Sequence, residues 1–140
     1  MAGTVEQVGP AVTEFAPGEE VLGYVRKDHV QWGTYAELVA APVRTLAHRP
    51  PGLDVVTAGA LPLVGLTALQ ALRAAGTGQG DTVLVHAVRP DAEGLGWLAE
   101  RAAEGRITVE IQQVFDLAAA PDAHRLLEEG HVRGKLVLRL

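Results

Sequence analysis

Leu53-Asp54-Val55-Val56-Thr57-Ala58-Gly59-Ala60-Leu61-Pro62-Leu63-Val64-Gly65-Leu66-Thr67-Ala68-Leu69-Gln70-Ala71-Leu72 runs through a glycine-rich turn into Gly80-Asp81-Thr82-Val83-Leu84-Val85-His86-Ala87. Leu61, Val64, Ala68 and Leu72 recur at helical spacing, which puts them on one stripe, and Val83 and Val85 stand in a short β-branched run of the kind that forms a buried strand. The spacing predicts a helix over 63–75 that feeds a sheet strand over 82–86. The rest of the chain is read by how it covers these two elements.

A chain of 140 residues, 48% hydrophobic and 21% charged, has ample apolar surface for one core and too little length for two full domains. A net charge of -5 and a pI near 5.5 disfavour a phosphate-backbone partner, because nucleic-acid sites need clustered cations to displace counterions. Without cysteine there is no disulfide, thiolate zinc site or thiol nucleophile, and without serine there is no serine triad. The longest apolar stretch is interrupted by Pro62 and Gly65 and reads as too short to span a bilayer. No basic-then-apolar signal pattern opens the chain, so a cytoplasmic protein with neither membrane nor nucleic-acid partner is expected.

From the N-terminus, residues 2–9 alternate as a strand and Gly9-Pro10 signals a turn. Val21-Leu22-Gly23-Tyr24-Val25 reads as a second strand, and the period of two over Gly33 to Ala40 predicts a third. Beyond Pro90, Asp91 is placed to cap a helix carrying Leu95, Leu98 and Ala102, with Gly105 as its left-handed stop. Ile107, Val109 and Ile111 alternate, and Gln112-Gln113 breaks the alternation as a β-bulge would. Pro121 fits the first turn of a helix with Ala123, Leu126 and Leu127 inward and Gly130 at its end, and Lys135 to Leu140 closes the chain as a strand. No internal repeat or flexible linker divides these elements, so a single α+β unit over 1–140 is expected.

Ala60-Leu61-Pro62-Leu63-Val64-Gly65-Leu66-Thr67-Ala68, followed by Gly80-Asp81-Thr82-Val83-Leu84-Val85-His86, resembles the medium-chain dehydrogenase/reductase superfamily in its zinc-free quinone oxidoreductase branch. Residues 2–9, Phe15 with Pro17-Gly18, Val21 with Gly23, and Gly33-Thr34-Tyr35-Ala36-Glu37 resemble the family's GroES-like β-barrel, and residues 126–138 its returning tail. The resemblance implies a GroES-like barrel with a few packed helices and a deleted Rossmann domain, built from 1–87 and 88–140, with the family's opening hairpin lacking a counterpart before Met1. It implies reduction of quinones or enones by NADPH, no zinc, and Thr67 as a cofactor contact near the nicotinamide. In the family the strand matching 82–86 is followed by pyrophosphate-binding glycines, whereas here the chain continues Ala87-Val88-Arg89-Pro90-Asp91. NADPH is therefore not expected to bind tightly to this chain. A non-catalytic binding or interaction module derived from the family is the alternative.

Residue by residue, the chemistry is sparse. Gly76-Thr77-Gly78-Gln79-Gly80 precedes the strand, whereas a dinucleotide loop needs its glycines after the strand and before a helix, so these read as a helix end and turn. Thr67 alternatively bonds its own helix backbone. His29, His48, His86, His124 and His131 stand singly, without the spacing of a helical metal site. Glu19, Glu20, Glu37, Asp91, Glu128 and Glu129 sit where carboxylates are solvated or cap helices. With its sheet neighbours lost, the strand at 82–86 would seek new cover, so a homo-oligomer is expected, with Val83, Val85 and Trp97 near its contact.

Overall fold

A computed structural model describes residues 1–26, 32–76 and 90–140. The expected strand at 82–86, with Val83, Val85 and His86, and also His29 and most of the glycine turn, lie outside the described residues.

Val21, Leu22 and Gly23 are all buried, and their strand is the middle of a sheet: β1 (Ala2–Thr4), β2 (Glu20–Gly23) and β3 (Leu46–His48) pair antiparallel in the order β1-β2-β3. Leu22 stands opposite Ala2 on one side and Ala47 on the other. The third strand is thus not the expected one. Residues 33–40 contain no strand, and Leu38 among them is 74% exposed. Their alternation satisfies the pattern but finds no ladder partner, because the second edge of β2 is occupied by Leu46–His48.

Asp54 opens the long helix α1 (Val55–Ala75), accepting hydrogen bonds from the backbone amides of Val56 and Thr57. The helix starts at Val55 rather than Leu63 and runs through Pro62. Its buried face is Ala58, Leu61, Pro62, Gly65 and Leu66. Of the expected stripe only Leu61 is buried: Ala68 is exposed, and Val64 and Leu72 are 39% and 45% exposed. The reason lies at Gly65, where a side chain would meet Leu98 Cδ1 at 3.0 Å; the absence of a Cβ lets α2 lie close and selects this face. By length and composition α1 would reach across a bilayer, contrary to the expectation drawn from Pro62 and Gly65, but it packs here against both sheets and α2.

Asp91 accepts from the Gly94 amide and caps α2 (Ala92–Ala103), and Gly105 follows with φ +72°, as the sequence predicts. Leu95, Leu98 and Ala99 face inward and join Leu22, Ala47, Leu53, Ala58, Leu61 and Leu66 in one apolar cluster between the sheet and the two helices.

On the other side of α1, β4 (Ile111–Asp116) and β5 (Lys135–Arg139) pair in parallel, joined by α3 (Ala120–Glu128) as a short crossover. The ladder slips between Ile111 and Gln113, where a bulge was predicted, but Ile107 and Val109 precede the strand instead of forming it. In α3, Pro121 lies in the first turn and Ala123 is buried, while Leu127 points outward at 57% exposure. The fold is α+β as expected. Among the described residues, however, the three-stranded and two-stranded sheets remain separate, and no closed barrel forms.

The Asp54 cap makes the stability pH-dependent. Hydrogen bonds from Thr57, side chain first and then backbone, hold its carboxyl below the usual carboxylate range, so its contribution is present above the unfolded pKa and is lost as pH falls through the lowered native value. Asp54→Ala is expected to cost about 1 kcal/mol at neutral pH. In chemical melts, the gap between wild type and variant should close on acidification below about pH 4. A gap that is constant with pH would show that the cap contributes nothing through its charge.

Candidate functional site

Two concave regions flank the core. The first, about 720 Å³, lies between β3 and α2 and reaches Arg73 near the end of α1. Its apolar wall includes Phe15, Leu46 and Trp97, and its polar groups include Arg44, Arg73, His48, Glu93 and Glu100. The Arg49 guanidinium, also on this wall, is committed elsewhere: it donates to the Leu53 carbonyl and to the Glu20 carboxylate, fastening the end of β3 to the start of β2 and to the turn before α1. His48 packs its ring against Phe15 with centroids 4.7 Å apart, and its Nδ1 lies 3.8 Å from Glu19. The Trp97 ring is covered on one face by Arg101, 5.3 Å from its centroid. Its lining carries charges of both signs, Arg44 and Arg73 beside Glu14, Glu93 and Glu100.

The second region, about 1190 Å³, is lined by residues 1–7, the N-terminal half of α1, residues 34–41 and residues 135–140. Within this lining Tyr35 lies against His124 of α3, ring centroids 5.9 Å apart. Its apolar lining includes Val55, Leu63, Leu38 and Leu136, and Lys135 and Arg139 also line it.

Thr67 lines neither region. Its hydroxyl donates to the Leu63 carbonyl one turn back at 2.6 Å, the local bond that competes with any ligand for the same proton.

The first helix after residues 82–86 in the chain is α2, and its start is ill suited to a phosphate. The Gly94 amide already donates to Asp91 at 2.9 Å, and Glu93 adds a second carboxylate in the first turn. A pyrophosphate there would displace one anion and face another, where such sites ordinarily offer free amides and a positive helix end. Gly94 does not relieve this, because it is buried inside the helix turn with the Asp91 carboxylate packed over it. Among the described residues no three histidine, aspartate or glutamate side chains gather as metal ligands.

Sequence reading singled out Thr67 and the histidines, and the structure does not bring these together. It missed β3 and the second concave region. The lining of that region comes from separate stretches of chain, so no local motif announces it.

The chain matches a family model described as zinc-binding dehydrogenase over residues 19–138. It is 39% identical over 103 residues to the pikromycin polyketide synthase component PikAII of Streptomyces venezuelae, covering 73% of this chain and 2% of that protein. It is 37% identical over 93 residues to a chloroplast envelope quinone oxidoreductase homolog of Arabidopsis thaliana, covering 62% of this chain and 28% of that protein. The chain thus spans less than a third of either relative. In fold it is similar to the quinone oxidoreductase from Coxiella burnetii, with a TM-score of 0.89 at 21% identity over 99% of this chain and 77% of that one.

Proposed function

The chain belongs to the zinc-binding dehydrogenase family of the medium-chain dehydrogenase/reductase superfamily, quinone oxidoreductase-like, and from that premise we propose that it is kin to reductases of conjugated carbonyls without carrying out hydride transfer alone. Quinones and enones share one chemistry, a C=C conjugated to C=O that accepts hydride. The similarity to a 2-methylene-furan-3-one reductase of Solanum lycopersicum, 35% identical over 89 residues, supports the enone form, because the compound in that name carries this acceptor. The observation that supports the second half of the proposal is the start of α2, where Asp91 accepts from the Gly94 amide and Glu93 adds a second carboxylate to the first turn. Sequence supports it too, since no glycine occurs between Ala87 and Glu93.

The expected result is NADPH binding no tighter than about 1 mM, near -4 kcal/mol. Calorimetric titration measures it directly. Micromolar affinity, or NADPH oxidation by the chain with p-benzoquinone as acceptor, would reverse the reading and make the chain a working reductase. A non-catalytic interaction module is the second reading, and the second concave region, beside α1, favours it.

A further inference from the structure

We draw no further inference here: the strongest candidate, the cleft between β3 and α2 lined by Phe15, Trp97, Arg44 and Arg73, carries nothing because its lining bears charges of both signs and nothing in the structure shows what covers it.

Discussion

Leu61→Ala is expected to destabilise the protein by about 3–4 kcal/mol, a large share of the 5–15 kcal/mol that holds an ordinary domain together. Leu61 is 1% exposed and sits where α1 meets α2 and the three-stranded sheet, in the cluster with Leu22, Leu95 and Leu98. Its Cδ1 lies 3.2 Å from where a Gly65 Cβ would stand, and Leu98 Cδ1 of α2 lies 3.0 Å from the same point, so Leu61 packs at the close approach of the two helices. A close-packed site collapses poorly, and the cavity term adds to the lost transfer energy. Leu72→Ala is the matched control: the same side chain on the same helix, 45% exposed, is expected to cost less than about 1 kcal/mol. Guanidinium unfolding followed by tryptophan fluorescence compares the two. Equal losses would return Leu72 to the core and contradict the packing of α1.

The same comparison shows what the sequence could and could not disclose. α2, α3, β5 and the bulge in β4 were legible because each is specified locally: Asp91 and Gly105 bound one helix, Pro121 starts another, and Gln112 interrupts an alternation. The face of α1 was not legible. Leu63, Val64 and Leu72 are as apolar as Leu61 and Leu66, so helical spacing fits several stripes and only the close approach at Gly65 chooses one. Residues 33–40 and 46–48 show the corresponding ambiguity for strands, since a strand exists by virtue of its partner and the partner of β2 cannot be read from either stretch alone. For the site, the position of Thr67 on a helix was readable, and so was its option of bonding Leu63. The second concave region was not, being assembled from both ends of the chain and the middle. The lack of glycine between Ala87 and Glu93 was legible as well, and so was the role of Asp91 as the cap of α2.

Gly134→Ala is expected to cost about 3 kcal/mol and to act on one sheet. Gly134 has φ +91°, which a side chain tolerates at a cost of about 1–2 kcal/mol, and an added Cβ would lie 2.4 Å from the Glu110 carbonyl oxygen. No rotamer relieves that contact, because the obstacle is backbone. The same carbonyl accepts the Lys135 amide at 2.8 Å, the bond that starts the pairing of β5 with β4, so relief by movement of either chain must lengthen it. Gly18→Ala provides the control: its φ is also +91°, and nothing lies within 4 Å of the added carbon, so it isolates the conformational strain. The difference between the two variants in denaturant melts measures the obstruction alone, and it should come to about 1–2 kcal/mol. Amide exchange should quicken across residues 111–116 and 135–139 in Gly134→Ala and remain unchanged in β2, because among the described residues no ladder joins the two sheets and α1 packs on both. Identical losses in the two variants would mean that the chain yields freely at Glu110. Faster exchange in β2 as well would mean that β5 supports the whole fold through α1.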